Sequence, residues 1–360
     1  MNLPDKKLLF LLGLPFSPIY ASLMKIRALF YRIGLLRSEQ FKVPVISVGN
    51  LTMGGTGKTP LVIFLAQYYQ KRRFKPAVVS RGYRAKSTGV CNIVSDGQQI
   101  LLTPVLSGDE PALIARATSG VVVATGKKRR RVSRQVIEHY GCDLLILDDG
   151  FQHLAVKRDF DLVLFDVITF AGNSRVFPGG DLRESTLALN RADAFAISGI
   201  DQSTEARAEQ LQALLEQRYP DIPVYRVYRE LSGFKRWLKR PNKPIESIPI
   251  NGKDLPQSLL CFCAIANPQR FQSSLKQAGL IIETVIPFPD HYSYQPADMS
   301  QLEATLTATG CHGYITTEKD LVKLNPALFP RAPLYTASLR LIPDQALLNH
   351  LESALSQPAR

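Results

Sequence analysis

VISVGNLTMGGTGKTP, residues 45 to 60, joins an apolar run to a turn carrying Gly54, Gly55, Thr56 and Gly57, and then to Lys58-Thr59 at the head of an apolar stretch. Bound phosphate demands this order of parts. Glycines let backbone N–H groups approach an anion, and the start of a helix adds positive potential. A lysine reaches the outer phosphates, and the threonine hydroxyl suits Mg²⁺. Pro60 fits a first helical turn, where its missing N–H has no partner to lose. The strict eight-residue pattern has glycine five places before Gly57, where this chain has Thr52. The strand, the Gly-Gly-Thr-Gly-Lys-Thr turn and the helix are nevertheless present in sequence.

Working outward, Val43 to Val48 reads as a buried strand and Lys58 to Arg73 as a helix. Further β-type runs follow at Ala77 to Ser80, Gly120 to Thr125, Cys142 to Leu147, Asp161 to Phe165 and Ala194 to Ser198, several separated by helical patterns. Such alternation predicts an α/β fold, a P-loop NTPase-like and mostly parallel sheet with helices on both faces. Six prolines crowd Pro220 to Pro256, with a basic cluster of Lys235, Arg236, Lys239, Arg240 and Lys243 among them, which predicts a linker or paired extended segments. Beyond it, Ser258 to Ala266, Ile281 to Ile286, Gly313 to Thr316 and Leu334 to Ala337 look like the strands of a smaller C-terminal α/β domain. The expected division is 1–37 (helical, membrane-associating), 38–220 (P-loop domain), 221–256 (extended linker) and 257–360 (second domain).

A phosphate loop needs an acidic strand end nearby to hold its metal. LLILDD, Leu144 to Asp149, offers one: four apolar residues and then paired carboxylates. Two buried carboxylates repel each other unless a cation such as Mg²⁺ lies between them. Asp148 and Asp149 are therefore metal candidates with Thr59, and which of the two touches the ion stays open. A guanine-reading Asn/Thr-Lys-x-Asp stretch is missing: Asn242-Lys243 continues Pro-Ile, and Thr317-Glu318-Lys319-Asp320 has the wrong spacing. A GTPase is disfavoured, and no second glycine-rich fingerprint favours a dehydrogenase.

With 45% hydrophobic and 21% charged residues in 360, the chain is neither disordered nor a polytopic membrane protein. Lys+Arg 44 against Asp+Glu 31 leaves +13, a balance suited to an anionic partner. Five scattered cysteines without a CxxC pair argue against disulfides and zinc; Cys261 and Cys263 read as buried residues on one strand face. Leu8 to Met24 carries no charge over 17 residues, between Lys6-Lys7 and a basic flank. Pro15 and Pro18 interrupt it, and about 20 residues are needed to span a bilayer. Ile19, Leu23, Ile26, Phe30 and Ile33 recur at helical spacing, so a basic amphipathic helix lying in the headgroup plane is expected, or else a helix docked on the protein's own core.

The chain also carries SRGYR (80–84), SGDEP (107–111), DDGFQH (148–153), FPGGDLRE (177–184), FPDHYSY (288–294) and TTEKDLVKL (316–324). With GNLTMGGTGKTP, these ordered motifs closely resemble the tetraacyldisaccharide 4'-kinase family, the lipid A 4'-kinases. The resemblance implies ATP-dependent phosphorylation of the 4'-hydroxyl of a tetraacylated disaccharide 1-phosphate at the cytoplasmic face of a Gram-negative inner membrane. It implies ATP as co-substrate, the lipid A disaccharide precursor as acceptor and the anionic membrane as contact surface; no nucleic acid is expected, and no protein partner is identifiable. By the same resemblance Asp109 is the catalytic carboxylate working with His291, and Glu110 and Gln152 lie near metal and phosphates. Asp109 and His291 are 182 residues apart, so a cleft between domains is expected. Arg81, Tyr83, Arg183 and Glu184 are candidates for clamping phosphate or positioning the acceptor, with loop ion pairs as the alternative. The KKRRR run at 127–131 lacks the interleaved aromatics of a nucleic-acid site; it reads as a solvated helix face, with attraction to acidic headgroups or phosphate as the alternative.

Overall fold

A computed structural model describes residues 6–83, 85–239, 246–290, 292–324 and 332–356. His291 and Arg84 lie outside them. In chain order the elements are α1 (Lys6–Gly13), α2 (Ser17–Arg32), β1 (Val45–Gly49), α3 (Lys58–Lys71), β2 (Pro76–Ser80), β3 (Asn92–Asp96), α4 (Pro104–Ser107), α5 (Asp109–Ala117), β4 (Val122–Thr125), α6 (Arg129–Tyr140), β5 (Leu144–Asp148) and β6 (Phe160–Asp166). There follow β7 (Ala194–Ile200), α7 (Glu205–Arg218), β8 (Val224–Leu238), β9 (Glu246–Ile250), β10 (Leu260–Cys263), α8 (Pro268–Gln277), β11 (Val285–Pro287), α9 (Pro296–Thr309), β12 (Tyr314–Thr317), α10 (Glu318–Leu321), β13 (Leu334–Pro343) and α11 (Gln345–Ser356).

The chain divides into two compact units, 1–103 with 114–229 and 341–360, and 104–113 with 230–340. These are not consecutive stretches, unlike the serial division read from sequence. In the first unit the strands run β8-β7-β6-β1-β5-β2-β4-β3, parallel except for the edge pair β3 and β4. β1 sits centrally, between β5 and β6. Successive residues of β5 serve opposite layers: Leu144 and Ile146 pack with Leu61 and Leu65 of α3, Leu145 and Leu147 with Val132 and Val136 of α6. Apolar residues on both sides are what a sheet covered by helices on both faces requires. Leu347, Leu348 and Leu351 of α11 complete the α3 layer, which is why the last helix belongs to the first unit.

In the second unit β11-β10-β12-β13 are parallel. β9 pairs antiparallel with the far half of β8, from Phe234↔Ile250 to Leu238↔Glu246. Within the proline-rich region, residues 234–238 and 246–250 are thus paired extended chain. Pro249 is tolerated in the two-stranded arm, opposite Lys235. Cys261 and Cys263 share one buried face, and all five cysteines are free thiols.

α1 and α2 meet the first unit through small and polar residues. Ser17 Oγ donates to the Val176 carbonyl and accepts from the Gly179 amide, both at 2.8 Å. Tyr20 packs edge-on to Phe177, and Arg27 donates to the Gln152 carbonyl. The apolar side chains face away: Leu11, Leu12, Phe16, Ile19, Leu23 and Ile33 are each 60–64% exposed. A short 3₁₀ turn, Leu14–Phe16, marks the Pro15 interruption. Even so, Leu8–Arg32 is 25 residues of helix, long and apolar enough to cross a membrane by length and composition.

Candidate active site

β1 delivers the chain to the phosphate loop, and the loop is locked to the DDGF turn by close approach. A Cβ on Gly49 would lie 2.5 Å from the Phe151 Cβ, so only glycine fits there. The Gly150 amide donates to the Val48 carbonyl at 3.2 Å. Asp149, between them, takes a left-handed φ of 55°, which aspartate tolerates better than most residues. Thr52, where a glycine would satisfy the strict pattern, is buried and forms an antiparallel bridge with Leu182. Its φ is not left-handed, so glycine is not needed. That bridge, with Arg183 N–H donating to the Leu51 carbonyl at 2.8 Å and Met53 N–H to the Asp181 carbonyl at 2.7 Å, sets the FPGGDLRE loop beside the phosphate loop.

The side chains converge accordingly. Lys58 Nζ donates to Asn50 Oδ1 at 2.9 Å and stands 3.5 Å from Asp149 Oδ1. One Arg183 nitrogen reaches both Asp149 oxygens, at 2.8 and 2.6 Å, and lies 3.4 Å from Gln152 Oε1. Gln152 Nε2 donates to the Asn50 carbonyl at 3.0 Å. Arg129 Nη1 donates to the Asp149 carbonyl at 2.8 Å. Burial works against ionisation of Asp149, but Lys58, Arg183 and Arg129 outweigh it and hold the carboxyl well below the usual carboxylate range.

Gly57 caps α3 with a left-handed φ of 78°, and no side chain among the described residues caps that helix. Its first amides are therefore presented to a ligand. A Cβ on Gly57 would lie 2.8 Å from Leu341 Cδ1. Gly57→Ala combines this contact with a strained φ, costing about 1 kcal/mol or more. It should weaken nucleotide binding about tenfold in a calorimetric titration; unchanged affinity would mean that the turn does not cradle phosphate.

Thr59 and Asp148 are buried at the same end of the sheet, where register pairs Asp148 with Val48. Asp148 Oδ2 accepts from Ser80 Oγ at 3.2 Å. A hydroxyl and a carboxylate are hard oxygen donors and fit Mg²⁺, which takes few protein ligands and completes its shell with water and phosphate oxygens. No group of three or more His, Cys, Asp or Glu side chains with metal-holding geometry occurs among the described residues.

Of the remaining sequence candidates, Arg81 and Tyr83 are exposed on the loop after β2. Glu184 is buried and tied to Arg191 by two of its nitrogens at 3.1 Å, while Arg191 also lies 4.7 Å over the Phe151 ring; Glu184 braces the turn. Asp109 and Glu110 are half-buried in the first turn of α5, at the 104–113 segment of the second unit. In the second unit Lys319 pairs with Asp290 at 3.2 Å, and Asp320 accepts from Lys323 at 3.1 Å and from the Ala264 amide at 3.0 Å.

Sequence reading missed Asn50, Arg27 and Arg129. Arg129 belongs to the KKRRR run, yet it is only 4% exposed, which corrects the solvated-face reading at this position. The signal was present: Arg129, Val132, Ser133 and Val136 form the buried stripe of α6, at the i, i+3, i+4, i+7 spacing of a helix face.

His153 sits among Arg129, Arg27, Arg158 and Arg81; burial first, then these cations, push its imidazole down to about 3. It is neutral in the folded protein at neutral pH, whereas the unfolded chain takes up a proton below about pH 6.5. Between those values the unfolded state binds more protons, so stability declines as pH falls. From pH 7 to 4.5 His153 should contribute a loss of about 2 kcal/mol. Urea unfolding at both pH values should show His153→Asn losing that much less than the parent chain; equal losses would refute the assignment.

The family described as tetraacyldisaccharide-1-P 4'-kinase matches residues 9–356. Tetraacyldisaccharide 4'-kinase of Desulfotalea psychrophila is 44% identical over 335 residues, covering 93% of each chain. That of Syntrophus aciditrophicus is 38% identical over 327 residues and 85% of each. The crystal structure of LpxK from Aquifex aeolicus in complex with ATP aligns with a TM-score of 0.72 at 27% identity, over 96% of this chain and 98% of that one. With the family's model matching 9–356 and a relative 44% identical over 93% of the chain, this chain belongs to the tetraacyldisaccharide-1-P 4'-kinase family.

Proposed function

We propose that the chain transfers the γ-phosphoryl group of ATP to the 4'-hydroxyl of a tetraacyldisaccharide 1-phosphate, a step of lipid A synthesis. The observation that carries this reading is the uncapped start of α3 with Lys58 drawn to it by Asn50 and Asp149, in a chain of this family. ATP is the donor, in keeping with the nucleotide of the Aquifex aeolicus relative.

The loop amides and the N-terminus of α3 bind the β- and γ-phosphates, and Lys58 leaves Asp149 to neutralise charge on the transferring group. Arg183, already beside Asp149, is placed to do the same with its planar fork. Thr59 with Asp148 or Asp149 would hold Mg²⁺, which supplies charge neutralisation across the phosphates. The acceptor's 4'-oxygen attacks phosphorus in line as the bond from phosphorus to the β,γ-bridging oxygen breaks, so ADP leaves. The hydroxyl proton passes to Asp109, with His291 as its partner by family resemblance. Gln152, held by Asn50 and Arg183, keeps the turn aligned.

An acceptor bearing four acyl chains stays in a bilayer, so the enzyme works at the membrane surface. The outward apolar faces of α1 and α2 provide the contact, as a monotopic anchor on the cytoplasmic face of the inner membrane. The test is direct: incubate the full chain with γ-labelled ATP, Mg²⁺ and the disaccharide 1-phosphate in nonionic detergent. Label on the lipid is the expected result, and ATP hydrolysis without lipid labelling would defeat the kinase reading.

A further inference from the structure

On the first unit, away from the phosphate loop in sequence, a cleft of about 470 Å³ is lined by four arginines, Arg37, Arg130, Arg131 and Arg134, and by one carboxylate, Glu39. Arg134 takes that carboxylate with two nitrogens, Nη2 at 2.6 Å and Nε at 3.1 Å. Among the described residues Arg37, Arg130 and Arg131 make no ion pair, so three cationic charges remain uncompensated. The walls are fixed. Ser38 Oγ donates to the Leu154 carbonyl at 2.6 Å, and Glu39 bridges to Ala155 and Lys157 through its own backbone. The other wall is α6, anchored by Val132 and Val136 in the core.

Three unpaired guanidiniums on a rigid frame repel one another and are stabilised by an anion with several oxygens; phosphate matches their donors. The source of that phosphate follows from position. Arg37 lies five residues beyond Arg32, the last residue of α2, so chain reach keeps it within about 18 Å of the helix whose apolar side chains face outward. We propose that this cleft is a binding site for the phosphodiester headgroup of an anionic phospholipid, which holds the first unit against the bilayer in a set orientation. The volume admits the phosphate with its glycerol substituents. The inference rests on the membrane reading of α1 and α2.

Flotation of the full chain separates the two ideas. On vesicles of phosphatidylcholine alone, the helices should give binding that is the same for the parent and for a variant carrying Arg37→Gln, Arg130→Gln and Arg131→Gln. On vesicles containing about one-third phosphatidylglycerol the parent should bind more tightly, and the variant should lose roughly fivefold per arginine, on the order of 100-fold in all. Arg134 is kept so that Glu39 stays paired. Changing the same three residues to lysine should preserve most of the binding. Should the triple glutamine variant lose its thermal transition, Arg131→Gln alone, at an exposed position, carries a roughly fivefold loss. Variant binding within about twofold of the parent on anionic vesicles would overturn the proposal, as would a raised KM for the disaccharide in nonionic detergent, which would mean that the cleft serves the acceptor. A parent chain that floats with neither vesicle would remove the membrane reading and the cleft with it.

Discussion

Lys58→Met should lower kcat for phosphoryl transfer by about 10³-fold, the loss typical of deleting one charged group aimed at a developing phosphoryl charge. Loss of the lysine leaves Asp149 paired with Arg183 at 2.6 Å and backed by Arg129, so no carboxylate is stranded and the thermal transition should shift little. A methionine retains the stem's length and apolar bulk, which isolates the charge. In the proposed mechanism Lys58 exchanges Asp149 for the nucleotide's phosphates, so part of the loss should fall on ATP affinity as well. Steady-state kinetics in detergent with varied ATP read both terms. A loss smaller than tenfold in kcat/KM would sink the assignment of residues 54–59 as the phosphate-handling loop.

The second large effect is expected at Asp109→Asn, a nearly isosteric change that removes the proposed proton acceptor. General-base catalysis is worth about 10²–10⁴-fold, and the loss should appear in kcat with little change in KM for either substrate. Asp109 opens α5, a helix of 9 residues, where the positive end of the helix favours the ionised carboxylate that the proposed role requires. The asparagine variant should also flatten the acid limb of the kcat profile, since that limb reports protonation of the base. Turnover within about threefold of the parent would remove Asp109 from the reaction.

Much of the first unit can be read from residues 45–60 and 144–149, because a strand, an anion-binding turn and a helix start leave local signatures. The buried face shared by Cys261 and Cys263 is equally local. Other features depend on pairing between distant segments, which no short window reports. The antiparallel edge strand Asn92–Asp96 is half-exposed and polar, and its apolar content gives no alternation to detect. Nothing in the leucines of α11 says which of two cores they will join. Glu184 looks like a ligand-binding residue in sequence and turns out to be consumed by Arg191, seven positions away. Arg129 was legible in principle from its register with Val132 and Val136, but the charge run around it pointed to solvent. Asn50 was hidden because a side-chain amide aligning Lys58 has no distinctive spacing.

The placement of α11 has a biosynthetic consequence. Tyr68 Oη on α3 donates to Glu352 at 2.6 Å, and Leu347, Leu348 and Leu351 seal the layer beneath the phosphate-loop strand. A ribosome must therefore finish residues 345–356 before the nucleotide-handling half can close, even though its opening strand emerged some 300 residues earlier. Until then the nascent chain displays an unroofed apolar face, a natural client for chaperones. A chain ended just after β13 keeps every chemical motif, yet should be cleaved by protease faster than the parent, because the α3 layer would lack Leu347, Leu348 and Leu351.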